Sequence, residues 1–298
     1  MGRETLLSLL LLLFGGLAAQ PLVLWPLHPM DNAAPPQRAE RQLWIRLWLP
    51  VLPILVVAAW LGGWALREPD PVHTRFDHGV LVAACLPFAW IALRAALRAA
   101  WALLHEPAEL PVCTAGLWRP RVLFSPFFAR TLEDAQIAAA WAHEQAHVRH
   151  RDPLRIWLAQ LATDLQWPWP SASRRFQRWL EVLEYARDDE ARRRGTSGVD
   201  LASAILATAR RSAAAPARVG QGRAALDAAL LGQGVALQRR LARLLAPLPE
   251  AAPQEPPAGL SDAEALGVVL GVLVLSCALG ATYGPQVLHV FFAWTWSV

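Results

Sequence analysis

The chain has 298 residues, 55% of them hydrophobic, with positive mean hydropathy. It is long enough for a sizeable core and too apolar for an ordinary soluble domain, so a membrane protein is the first expectation. Its formal net charge of +4 rests on 28 basic residues, all Arg; that bias fits a GC-rich coding composition better than nucleic-acid recognition, and no nucleic-acid partner is expected. The cysteines, Cys85, Cys113 and Cys277, form no CxxC pair, which excludes a disulfide framework as the organising theme.

In chain order, four stretches reach the roughly 20 apolar residues that cross a bilayer. Three of them, at about 6–27, 43–66 and 79–101, form an expected membrane unit over residues 1–104. The first contains no charge but is interrupted by Gly15, Gly16 and Pro21. It has a second reading as a cleaved signal peptide, because Arg3 precedes the leucine run and Ala18-Ala19 offers a small-residue cleavage site. The third carries Arg94 and Arg98, which can snorkel only near the end of a span.

Residues 105–246 follow as a mostly helical region able to form its own core. Within it, Arg119 to Pro126 places Val122, Leu123 and Phe124 between two prolines and reads as a short edge strand. Helices are expected over about Leu132 to Arg151 and Arg174 to Arg194. Residues 247–263 are rich in Pro and Ala and read as a linker. The fourth span lies in 264–298, free of Asp, Glu and Arg over 266–294, with Trp294 and Trp296 suited to an interfacial belt.

The first of those helices contains HEQAH. His143 and His147, four residues apart, share one helix face, and two imidazoles at that spacing can reach one tetrahedral zinc ion. Glu144 stands beside them, able to take a proton from a water that zinc activates for attack on a peptide carbonyl. Catalytic zinc needs a third protein ligand, and the run EVLEYARDDEA supplies Glu184 as candidate, with Asp188 one turn later able to hydrogen-bond a ligand histidine. His150 is a rival third ligand near the same face, and Tyr185 or an arginine is a candidate for stabilising an oxyanion. The strand at Val122, Leu123 and Phe124 is a candidate substrate-binding edge, since an extended peptide can add to it by backbone pairing.

The stretch HEQAHVRHRDPLRIWLAQLATDLQWPWP followed by EYARDDEA, with LPVCTAGLWRPRVLFSP upstream and LQRRLARLL downstream, resembles the M56 metallopeptidases, the BlaR1-like integral-membrane family. The resemblance implies a zincin-like, mostly helical metallopeptidase domain with a small β edge region, set in a mainly α, polytopic membrane protein. It implies Zn2+ held by His143, His147 and Glu184, with Glu144 as catalytic base and Asp188 matching the family's Asp. The chain departs from the family pattern at His150, at Arg187 and at Pro168-Trp169-Pro170, and none of these removes a ligand.

The resulting expectation is a zinc endopeptidase of the bacterial inner membrane, its catalytic region cytoplasmic by the Arg distribution. Its protein substrate would be a cytoplasmic regulator such as a transcriptional repressor. No penicillin-binding sensor is expected after the last span, so a separate sensor partner would supply any signal. The alternatives are an HtpX-like quality-control protease and a membrane scaffold with a vestigial zinc site. The first is disfavoured because Leu154 to Trp169, with Arg155 and Asp164, is short for a span between the HExxH helix and the glutamate.

Overall fold

Long apolar runs dominate the sequence, and over its described residues the computed structural model consists of helices and one small hairpin, with Pro50, Pro53 and Pro87 accommodated within helical segments. It describes residues 8–24, 34–67, 75–104, 112–124, 130–214, 223–248 and 262–294. The elements in order are α1 (Ser8–Leu22), α2 (Pro36–Arg67), α3 (Arg75–Leu104), β1 (Val112–Ala115), β2 (Arg121–Phe124) and α4 (Asp134–Arg149), followed by α5 (Asp152–Leu165), α6 (Pro170–Arg193), α7 (Gly198–Ala214), α8 (Arg223–Leu245) and α9 (Asp262–Trp294).

Three helices are long and apolar enough to cross a membrane among the described residues: α2, Val82–Trp101 of α3, and Gly267–Gly284 of α9. Over its described length α1 is apolar but shorter than a span. Helices in lipid gain little from apolar burial, so close backbone approach must hold them together. The α2–α9 crossing does this with glycine. A Cβ added to Gly63 would lie 1.9 Å from the Cys277 carbonyl oxygen, and one added to Gly280 would lie 2.0 Å from that of Trp60. Ser276 adds a hydrogen bond from its hydroxyl to the Val56 carbonyl, 2.9 Å.

Arg94 and Arg98 do not depend on snorkelling alone. Both guanidiniums bond the carboxylate of Asp164 on α5, and Trp157 Nε1 donates to the Ala95 carbonyl at 2.9 Å, so α5 is docked on the span. Paired charge is the form in which ions persist at membrane depth.

The first half of α2 turns an apolar face inward. Ala39, Leu43 and Leu47 pack with Phe176, Trp179, Val182 and Leu183 of α6 and with Ala159 of α5. Leu47, Trp179 and Leu183 are fully buried, each side chain stabilising the fold by about 1.5–3 kcal/mol. A second cluster joins α4, α6, α7 and α8 through Ala139, Ala191, Leu201, Ala202 and Leu244.

Helix α4 starts at a capping box formed by Glu133 and Gln136. Its end is abrupt: Arg151 takes a left-handed backbone (φ 53°, ψ 42°), which turns the chain so that α5 begins at once with Asp152. Helix α6 closes with Gly195 at φ 97°, where the Gly195 N–H bonds the Arg192 carbonyl and the Thr196 N–H reaches Ala191, a Schellman cap.

The expected strand is observed as Arg121–Phe124, antiparallel to Val112–Ala115 with Thr114 opposite Val122. The partner strand was not foreseen, since four residues with Cys and Thr carry too little periodicity. Within the expected linker and fourth-span segments, residues 249–261 and Trp296 lie outside the described residues.

Candidate metal centre

Helical spacing brings His143 and His147 to one buried face of α4, and α6 crosses that face with Glu184. The Nε2 atoms of the two histidines are 3.1 Å apart. Glu184 Oε2 lies 3.4 Å from His143 Nε2, and Glu184 Oε1 lies 3.7 Å from His147 Nε2. One ligand atom from each residue falls within 4.8 Å of the others. Donors about 2.0–2.1 Å from a tetrahedral zinc ion are separated by about 3.3 Å, so these spacings fit that ion. Two uncharged nitrogens facing each other at such a distance repel unless a proton or a cation lies between them.

Each histidine is backed by a carboxylate, and each carboxylate by an arginine. His147 Nδ1 donates to Asp152 Oδ2 at 2.8 Å. Arg187 grips both oxygens of Asp152, at 2.5 Å from Nε and 2.8 Å from the terminal nitrogen. On the other side His143 Nδ1 stands 2.9 Å from Asp188 Oδ1, off the hydrogen-bond direction, and Arg240 from α8 bonds both Asp188 oxygens at 2.8 Å. Such outer carboxylates fix the ring orientation and raise ligand basicity.

The electrostatics follow from this pairing. Burial pushes the Asp152 and Asp188 carboxyls up, but their arginines and histidines outweigh it and hold both below the usual carboxylate range. Glu184 is held well below that range by Arg240, His147 and His143, against its burial. Burial alone would lower His143, yet the Asp188 and Glu184 carboxylates raise it to about 9. The cluster is therefore poised to hold positive charge.

Glu144, next to His143, accepts a hydrogen bond at its Oε2 from the Thr114 hydroxyl of β1, 2.7 Å. The hairpin thus fixes the carboxylate's direction. Cys113 lies nearby, its thiol pushed up to about 11 by burial and by Glu144, so it stays protonated. A cavity of about 530 Å³ opens over these groups, walled by Ile156 of α5, by Leu201, Ala204 and Ile205 of α7, and by Val112 of β1.

The structure brings together His143, His147, Glu184, Glu144 and Asp188, the residues singled out in the sequence. Val122, Leu123 and Phe124 lie on the strand behind: β1 lines the cavity, and those three side chains do not. His150 points away from the cluster and pairs with Glu190 at 2.8 Å, with its side chain 45% exposed. Tyr185 donates its hydroxyl to Glu181 at 2.8 Å and is not part of the cavity wall. Asp152 and Arg240 were missed. Asp152 stands five residues after His147, and Arg240 sits in LQRRLARLL, where only tertiary structure separates it from its neighbours.

Residues 103–211 match the family model described as BlaR1 peptidase M56. No curated protein and no solved structure matches the chain.

Proposed function

We propose, from the match of residues 103–211 to the BlaR1 peptidase M56 model, that this chain is a membrane-embedded zinc endopeptidase of that family. The observation that carries the reading is the meeting of His143, His147 and Glu184 at separations suited to one tetrahedral cation. All-nitrogen and carboxylate donors with an adjoining cavity suit a catalytic rather than a structural zinc site. When bound, zinc polarises a carbonyl and brings the pKa of a water toward neutrality.

The chain's own residues supply the rest. His143 and His147 present Nε2 inward because Asp188 and Asp152 occupy the Nδ1 sides. Glu144, steered by Thr114, takes the proton from the attacking water and returns it to the leaving amine. The cavity wall of Leu201, Ala204 and Ile205 excludes water from the reacting bond and receives an apolar side chain of the substrate. An extended substrate runs beside the hairpin, with β1 nearer than the Val122 to Phe124 strand.

The substrate is a protein, and the most consistent setting is regulated cleavage of a cytoplasmic regulator such as a transcriptional repressor, signalled by a separate partner. Arg38, Arg41 and Arg46 in the first turns of α2 favour a cytoplasmic catalytic side in a bacterial inner membrane. The direct test is metal analysis of the purified full chain beside His143→Ala and Glu184→Ala. One zinc per wild-type chain, lost in both variants, is expected, whereas zinc retained in both would sink the ligand assignment.

A further inference from the structure

Hydrolysis places negative charge on the scissile carbonyl oxygen, a role that the sequence leaves open between Tyr185 and an arginine, and Tyr185 is turned away to Glu181. We propose that Arg240 stabilises this oxyanion, an inference that rests on the peptidase reading. Four observations carry it.

The first is elimination among the donors around the cavity. The Thr114 hydroxyl is committed to Glu144 and that of Thr208 to the Ala204 carbonyl at 2.9 Å, Tyr185 is turned to Glu181, and the Cys113 thiol is a weak donor. Arg240 is the one arginine among the described residues lining the cavity, and the chain has no lysine.

The second is rigidity. Nε and one terminal nitrogen of Arg240 form a bidentate fork on Asp188, 2.8 Å each, and that carboxylate is itself 1% exposed. The third is position: NH1 reaches Glu184 Oε2 at 2.8 Å and NH2 stands 3.2 Å from His143 Nε2, so the guanidinium lies against two candidate ligands. Asp188 and Glu184 engage three of its five N–H bonds, and the one that NH2 turns toward His143 loses its acceptor once Nε2 takes a metal, so one N–H on each terminal nitrogen is left for the oxyanion.

The fourth is charge. A divalent cation and Arg240 together carry +3, balanced by Glu144, Glu184 and Asp188 at −3. The site is neutral before reaction, and the arginine charge is available when negative charge develops.

In the step itself the water oxygen bonds to the carbonyl carbon, its proton passes to Glu144, and the C=O π electrons move onto the oxygen facing Arg240. Collapse re-forms C=O, breaks C–N and sends the proton from Glu144 to the amine nitrogen. A preorganised donor of this kind typically contributes about 10²–10³-fold in rate.

The test uses the full-length chain in nanodiscs, zinc-loaded, as wild type, Arg240→Met and Arg240→Lys. Zinc content, kcat and KM on casein, and the affinity of a Leu-Ala phosphinate dipeptide, whose anionic oxygens mimic the oxyanion, are measured together. Expected for Arg240→Met is unchanged zinc, kcat down by about 10²–10³-fold with KM little changed, and weaker phosphinate binding. Arg240→Lys, which keeps charge without the fork, is expected between the two. Wild-type phosphinate affinity in a zinc-loaded Met variant overturns the proposal. So does loss of zinc in that variant, which would make Arg240 a structural support. Should the Met variant not fold, wild-type phosphinate affinity in the Lys variant overturns it. A zinc-loaded wild type that neither cleaves casein nor binds the phosphinate would instead remove the peptidase reading, and this inference with it.

Discussion

His147 Nδ1 lies 2.8 Å from Asp152 Oδ2, and that contact exists because Arg151 turns the chain left-handed between two helices. The bond leaves Nε2 of His147 as the ring's inward donor. Replacing Asp152 with Asn keeps the shape and removes the charge, and zinc affinity should fall about 10–100-fold by chelator competition. Asp152→Ala goes further, because Arg187, 2% exposed, loses the carboxylate that compensates its burial. Thermal unfolding of that variant should show a loss of about 3–5 kcal/mol. Unchanged zinc affinity in the Asn variant would contradict the assigned role.

The same network extends into the membrane-spanning helix. Glu40 on α2 bonds Arg155, which also contacts Asp152 at 3.3 Å and stacks 5.0 Å from the Trp44 ring, while Trp179 donates to Glu40 at 3.2 Å. Glu40→Ala should therefore lower the thermal midpoint of the detergent-solubilised chain, since it removes the carboxylate shared by Arg155 and the Trp179 indole and leaves Arg155 with Asp152 as its remaining carboxylate. A wild-type midpoint would show that the α2 contact is dispensable.

Zinc uptake should release protons. With His143 raised to about 9 in the metal-free cluster, it is protonated below that pH and must lose the proton to coordinate. Apparent affinity is then expected to rise with pH, about tenfold per unit up to that value, for the one proton displaced. Calorimetry in buffers of different ionisation enthalpy measures the release directly. Uptake at pH 7 with no proton release would contradict the arrangement.

The α2–α9 crossing gives a prediction about packing alone. Gly280→Leu places a side chain where even a Cβ would lie 2.0 Å from the Trp60 carbonyl. The two spans should separate, read as loss of a disulfide engineered across the crossing. An unaltered cross-link yield would argue against the close approach.

Much of the site was legible because its chemistry is local. HEQAH sets two imidazoles on one face by helical period alone, and EVLEYARDDEA offers Glu184 and Asp188 on another helix. What could not be read was which arginine meets which carboxylate. Arg187 looked like a departure from the family pattern, yet it is the clamp on Asp152. Arg240 is one of many arginines in a Lys-free chain, and only the packing of α8 beside α6 singles it out. In the membrane, Arg94 and Arg98 read as charges near a span end, because their partner Asp164 is remote in sequence.

Glu144 is where the central claim is most exposed. Purified full-length chain and Glu144→Gln, both in nanodiscs, would be compared for zinc content and for casein cleavage. Equal zinc with cleavage reduced by about 10²–10⁴-fold is predicted for removal of a general base. Equal cleavage by the two proteins would contradict the account.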